Sequence, residues 1–89
     1  MYSLEYSTQF KKDFKKVTKM SISDILEVGN IISQLQRGES LHPKHVDHAL
    51  TGNWHGFRDC HIKPDLVLIY RMANENLQLA RIGSHSDLF

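Results

Sequence analysis

Residues 65–72 read DLVLIYRM, and every position from Leu66 to Tyr70 is apolar. A strand with one wet face alternates apolar and polar side chains, whereas a strand covered on both faces is apolar throughout. Turn-forming residues lie on either side, with KPD at 63–65 and NEN at 74–76. This stretch is therefore predicted to be the central strand of a sheet.

Two further strand-like runs flank the central one, at residues 54–62 and 77–83. The turns between the three runs are short, so the runs are predicted to form an antiparallel meander. Residues 2–6, with the sequence YSLEY, alternate at period two and predict a short strand ahead of it. Residues 84–89 are too few for another element beyond a turn.

Two amphipathic helices are predicted between the first strand and the meander. In the first helix, Phe10, Phe14 and Val17 repeat at i, i+4 and i+7. The second helix stops at Gly38, and its apolar stripe consists of Ile22, Ile25, Leu26, Gly29, Ile32 and Leu35. The order β-α-α-β-β-β predicts a small α+β fold, a single domain over residues 1–89, with both helices on one face of an antiparallel sheet.

The composition is typical of a globular protein with one core, since 40% of the 89 residues are hydrophobic and 24% are charged. No apolar run approaches the roughly 20 residues that cross a bilayer. The first 20 residues also lack the apolar segment of a signal peptide. The single cysteine, Cys60, leaves no partner for an intramolecular disulfide. We therefore expect a cytoplasmic protein that does not contact membranes.

Charge is nearly balanced, with 11 Lys and Arg residues against 10 Asp and Glu residues. A net charge of +1 gives only weak attraction for bare nucleic acid. The basic residues are nevertheless concentrated on the outer face of the first predicted helix, at Lys11, Lys12, Lys15, Lys16 and Lys19. This face is either simply solvated or a contact surface for RNA phosphates.

The spacing of His42, His45 and His48 invites a metal site. In a strand, however, this spacing puts His45 on the opposite face from the other two, and in a helix it separates His42 from His48 by about 120°. Pro43 also disfavours a helix there. We therefore predict no metal and no cofactor, with His42 and His45 as solvated or hydrogen-bonded loop residues.

A second group of titratable residues is more readily brought together by the predicted fold than the three histidines at 42, 45 and 48. The end of the first meander strand, the start of the central strand and the segment after the last strand all reach one end of the sheet, so His61, Asp65 and His85 can converge there. Together with His48 they would form a metal-free acid/base set, because imidazoles donate and accept protons near neutral pH. The alternative is that each is a separate polar residue on the surface.

Two segments together resemble a known family. Residues 47–70 read DHALTGNWHGFRDCHIKPDLVLIY, and residues 81–89 read RIGSHSDLF. Both resemble the YafQ branch of the RelE superfamily, whose pattern is DHxLxGxWxGxRDxHxxPDxxLIY followed by RxGxHxxLF. The aromatic and lysine helix near the start agrees as well, so the resemblance covers nearly the whole chain.

The resemblance implies a type II toxin, a ribosome-dependent endoribonuclease that cuts mRNA in the ribosomal A site. It also implies a cognate antitoxin, a small protein of the ribbon-helix-helix type with a flexible tail. The active residues it implies are His48, His61, Asp65 and His85, with Phe89 as a terminal aromatic beside them. The RelE prototype relies on Lys and Arg at comparable places, so only the YafQ branch informs the mechanism.

The chemistry this implies is metal-free transesterification by a ribose 2′-OH. His85 is the expected general acid, Asp65 or His61 the base or its orienting partner, and His48 the residue that positions the phosphate. Arg58 or Lys63 could stabilise the phosphorane charge, although strand parity puts Arg58 on the face opposite His61. A non-catalytic RNA- or ribosome-binding module is the alternative, and a catalytically dead partner of a repressor is a third possibility.

Overall fold

The sheet has five strands, and the computed structural model describes all 89 residues. The elements, in chain order, are β1 (Ser3–Tyr6), α1 (Thr8–Val17), α2 (Ile22–Gln36), β2 (His48–Ala49), β3 (Arg58–Lys63), β4 (Leu66–Ala73), β5 (Asn76–Gly83) and α3 (His85–Leu88). Two short 3-10 turns lie at Pro43–His45 and Gly52–Trp54. The α+β class and the two N-terminal helices agree with the prediction. No helix combines the length and the apolar character needed to cross a membrane.

β4 is the central strand, as predicted. The strand order is β1-β5-β4-β3-β2, and β4 pairs antiparallel with both β3 and β5. Val67, Leu68 and Ile69 are fully buried, because α2 and its neighbours cover one face of the strand while the loop and the tail cover the other. The uninterrupted apolar run is thus explained by burial on both faces.

The sheet is mixed rather than purely antiparallel, which corrects one prediction. β1 lies at the edge and pairs in parallel with β5, with Leu4 opposite Leu77. Period-two alternation identifies a strand and its buried face, but it carries no information about the direction of the neighbouring strand.

The region before β3 also differs from the prediction. The strand begins at Arg58, whereas Trp54 lies in a 3-10 turn and packs edge to face on Phe57 at 5.2 Å between ring centroids. A two-residue strand, β2, pairs with β3 and was not predicted. Trp54 and Phe57 are needed to cover the second face of the sheet, which takes them out of the strand.

α2 is rotated relative to its predicted stripe. Val28, Ile31 and Leu35 are its buried residues, while Ile22 and Leu26 are 77% and 67% exposed. Gly29, also in the predicted stripe, is exposed as well. Apolar residues occur around much of this helix, so periodicity alone did not decide which face meets the sheet.

The tail forms one more element than predicted. Ser84 caps α3 by accepting a hydrogen bond from the backbone N–H of Asp87, and Leu88 is buried against Val67 and Ile69. The tail therefore returns over the face of the sheet that α1 and α2 leave open. This is the face on which the candidate site lies.

Candidate active site

His61, Asp65 and His85 meet at one end of the sheet, as the sequence predicted. The imidazole rings of His61 and His85 are 6.5 Å apart between centroids and inclined by 28°. Asp65 Oδ1 accepts a hydrogen bond of 3.0 Å from the backbone N–H of His85. The carboxylate thereby joins the β3–β4 turn to the first residue of α3.

The local fold explains this meeting. Val67 lies opposite Gly83 in the β4–β5 pair, so the turn that carries Asp65 is next to the segment that follows β5. Ser84 then starts α3 and places His85 at its first position. A register shift near the end of β3 accompanies the chain reversal after His61.

Phe89 is beside the site. Its ring lies 4.9 Å from the ring of His85 and is inclined by 37°, and 52% of the residue is exposed. Leu88 is buried just before it, so the anchored end of α3 holds Phe89 in place. The resemblance implied this terminal aromatic, and the structure places it in contact with one imidazole and open to solvent.

His48 approaches from β2, on the same face of the sheet. Its Nδ1 lies 2.7 Å from the carbonyl oxygen of Val46, in good hydrogen-bond alignment. The same Nδ1 lies 3.0 Å from Oδ1 of Asp59, which faces His48 across the β2–β3 pair. The side chain of His48 is half exposed, so its other nitrogen is open to a ligand.

Asp59 is a residue that the sequence analysis missed. It is buried, and burial raises the pKa of its carboxyl above the ordinary value, whereas His48, His61 and His85 lower it when they are protonated. Its position two residues before His61 was a signal that both share one face of β3. Its burial could not be predicted, because a charged residue between Arg58 and Cys60 is typical of the solvent-exposed face of an edge strand.

Two basic residues expected near the phosphate have partners elsewhere. Arg58 Nε lies 3.2 Å from Asp47 Oδ1, on the helix-covered side of the sheet. Lys63 forms an ion pair with Asp24 of α2. The structure therefore does not bring Arg58 or Lys63 into the group formed by the histidines and Asp65, and strand parity explains the placement of Arg58.

The three histidines at i, i+3 and i+6 have separate partners. His42 Nδ1 accepts from the backbone N–H of Lys44, whereas His45 is buried with its Nδ1 2.7 Å from the carbonyl oxygen of His61. His45 thus supports the main chain of a site residue rather than reaching the site itself. No three His, Cys, Asp or Glu side chains of the chain are arranged to hold a metal ion.

The predicted basic face is present on α1. Lys11, Lys12, Lys15 and Lys16 are all exposed. Lys16 Nζ lies 3.9 Å from Oδ2 of Asp87, two residues beyond His85. One lysine of the basic face therefore lies next to the tail that carries His85.

Known proteins resemble this chain in sequence and in fold. Residues 2–89 match the sequence model of a family described as the bacterial toxin of type II toxin-antitoxin system, YafQ. The chain is 36% identical over 87 residues to the mRNA interferase toxin YafQ of Escherichia coli K12. The aligned region covers 97% of this chain and 94% of that protein.

Solved structures show the same fold. A copper-bound mutant toxin from Helicobacter pylori has a TM-score of 0.89 at 42% identity, with all of both chains covered. YafQ in the Escherichia coli DinJ-YafQ complex has a TM-score of 0.87 at 34% identity, covering 100% of this chain and 99% of that one.

Proposed function

Because the chain belongs to the YafQ family of toxins from bacterial type II toxin–antitoxin systems, we propose that it is an endoribonuclease that cleaves mRNA on the ribosome and so inhibits translation. A relative with 36% identity is named an mRNA interferase toxin. The observation that carries the proposal is the meeting of His61, Asp65 and His85 on one open face. Two imidazoles 6.5 Å apart are close enough to act on neighbouring atoms of one phosphodiester.

The reaction we propose is transesterification within the RNA. A base, His61 or Asp65, removes the proton from a ribose 2′-OH, and the 2′-oxygen attacks the adjacent phosphorus. The bond from phosphorus to the 5′-oxygen breaks, and His85 donates a proton to that oxygen. The products are a 2′,3′-cyclic phosphate and a 5′-OH, with His48 holding the phosphate; each acid/base step contributes roughly 10² to 10⁴ in rate.

Phe89 and the α1 lysines supply binding rather than proton transfer. The half-exposed ring of Phe89 offers a stacking surface for a base next to the scissile phosphate. The exposed lysines, Lys11, Lys12, Lys15 and Lys16, are proposed to contact ribosomal RNA. With a net charge of only +1, the protein has little general attraction for free RNA, which favours a substrate presented by the ribosome.

The proposed partner is a small antitoxin of the ribbon-helix-helix type with a flexible tail. Escherichia coli YafQ has been crystallised in complex with DinJ, at 34% identity to this chain. On α2 of this chain, Ile22 and Leu26 are exposed. Exposed apolar side chains on a helix can be buried by a partner protein. Co-expression of the antitoxin from the neighbouring reading frame is expected to relieve growth arrest.

Primer extension on mRNA tests the proposal. The protein is added to equal concentrations of one mRNA, either free or bound to translating ribosomes, at physiological salt. We expect discrete cuts only with ribosomes, and none with the His85→Ala variant. Comparable cutting of free mRNA would contradict ribosome dependence, and ribosome binding without cuts would favour the non-catalytic module.

A second arm tests the absence of a metal requirement. The protein is treated with EDTA and desalted before it meets the ribosomes, so that their own Mg²⁺ is preserved. Because the proposed chemistry uses only side-chain acids and bases, the cleavage rate should be unchanged. A loss that zinc or copper alone restores would contradict the metal-independent mechanism.

A further inference from the structure

Asp59 is a buried carboxylate directly beneath the site. Its side chain is only 4% exposed, and it lies on β3 two residues before His61, on the same face of the strand. The β2–β3 register puts it opposite His48. Nothing in the mechanism described above uses this residue.

The Asp59 carboxylate has an unsatisfied oxygen. Oδ1 is fully buried and makes no well-aligned hydrogen bond within the chain. Its near neighbour is His48 Nδ1 at 3.0 Å, but the proton on that nitrogen is better aligned with the carbonyl oxygen of Val46 at 2.7 Å. A buried carboxylate oxygen without a partner costs free energy, so its retention needs an explanation.

His48 Nδ1 faces two acceptors, the Val46 carbonyl and the Asp59 carboxylate. Since neither of them can donate, a neutral His48 must carry its proton on Nδ1 and leave the lone pair on Nε2. The half-exposed ring needs only a small turn to move its N–H from the carbonyl toward the carboxylate. Such a turn would satisfy the buried oxygen of Asp59.

We propose that Asp59 is a positioning residue that acts through His48: it fixes the Nδ1–H tautomer and the ring orientation in the free protein, so that Nε2 faces the phosphodiester and donates to it once that nitrogen carries a proton. A carboxylate behind an imidazole also stabilises the positive charge that the ring gains whenever Nε2 takes or shares a proton. The nature of the substrate rests on the proposed function, whereas the tautomer is a property of the free protein.

The variant Asp59→Asn tests this with little change in shape. Its amide N–H can donate toward Nδ1, which favours the opposite tautomer, and it carries no charge. We expect at least about tenfold slower single-turnover cleavage on programmed ribosomes. The matched control is Glu75→Gln, which removes the same charge from the exposed β4–β5 turn and should leave the rate unchanged.

A double-mutant cycle shows whether the effect passes through His48. In a His48→Ala background, Asp59→Asn should change the cleavage rate less than about twofold, because the imidazole it positions is absent. Equal losses in both backgrounds would overturn the proposal, since Asp59 would then act on the fold or on another residue.

Nitrogen-15 NMR of the free protein provides a readout that needs no RNA. In the wild type, neutral His48 should show the Nδ1–H tautomer, and Asp59→Asn should shift the population toward Nε2–H. An Nε2–H tautomer in the wild type, or an unchanged tautomer in the variant, would overturn the proposal. If the variant fails to fold, an Nε2–H tautomer in the wild type would still overturn the proposal, and this result does not depend on whether the protein cuts RNA.

Discussion

His85 is held by its main chain rather than by its imidazole. The backbone N–H donates to Asp65, whereas the exposed ring makes no hydrogen bond within the chain and lies beside Phe89. A ring with no structural hydrogen bond is free to donate and accept protons. It also contributes little to the free energy of unfolding, which allows its chemical role to be tested separately from the fold.

Replacement of His85 by alanine should therefore separate activity from stability. We expect cleavage on ribosomes to fall at least about 10²-fold, the scale of a lost acid/base catalyst. The melting temperature should change by no more than about 2 °C, as for other exposed positions. Cleavage at the normal rate would move the acid role to His61 or His48.

Replacing Phe89 should reduce activity less than replacing His85, because a phenyl ring can position the RNA but cannot transfer a proton. We expect Phe89→Ala to slow cleavage less than His85→Ala does. Phe89→Tyr, which keeps the ring, should retain most of the rate. A loss in Phe89→Ala as large as that in His85→Ala would mean that the aromatic ring is needed to assemble the site itself.

At the scale of elements, the sequence predicted those features that follow from local pattern and chain reversal. The central strand β4 and the convergence of His61, Asp65 and His85 are of this kind, because short turns leave few places for the chain to go. The buried face of α2 and the parallel partner of β1 depend on contacts between distant segments, which periodicity does not specify. Asp59 was missed for the same reason, since its burial depends on β2 and on the loop that follows it.

The α1 lysines allow a prediction at this scale. Neutralising Lys12 and Lys15 to glutamine should weaken ribosome binding and reduce the slope of log affinity against log salt by about 1.5, since each phosphate contact contributes roughly 0.7 to 0.9. The measurement is binding to empty ribosomes over a range of salt concentrations. Lys44→Gln, on the 3-10 turn, is the control, and a change in slope per lysine as large as that for Lys12 and Lys15 would contradict a specific role for α1.

At the scale of the whole molecule, one buried ion pair joins α1 to β5. Asp13 accepts two hydrogen bonds from Arg81, at 2.9 and 3.0 Å, and a third from the backbone N–H of Ile82. Burial alone raises the pKa of Asp13, but the hydrogen bonds from Arg81, Gln9 and Ile82 outweigh it and hold the pKa below the ordinary value of 3.8. The folded protein therefore stabilises the ionised form of Asp13.

Asp13→Asn should lower the free energy of unfolding at pH 7 by about 2 to 3 kcal/mol, because it leaves the partly buried Arg81 without its charged partner. The contribution of an acid with a lowered pKa is complete above its unfolded pKa and is lost as the pH falls through the folded value. The difference between wild type and variant should therefore narrow below about pH 4 in urea titrations. The exposed Glu75→Gln, on the β4–β5 turn, should show little change at any pH, and a difference for Asp13→Asn that stays constant down to pH 2 would contradict the assignment.

The pairing of β1 with β5 determines how late in synthesis the sheet can close. The hydroxyl of Ser7 donates to the carbonyl of Ala80, 73 positions later, and a fold with such distant contacts forms slowly. During synthesis, β1 and α1 leave the ribosome first and have no partner strand until β5 follows them. We expect a fragment of residues 1–75 to lack cooperative thermal unfolding; a sharp transition in that fragment would show that the fold closes earlier. A nascent chain that has not yet released β5 has neither a closed sheet nor a formed site, so the polypeptide cannot attack the message from which it is being translated until β5 has left the ribosome.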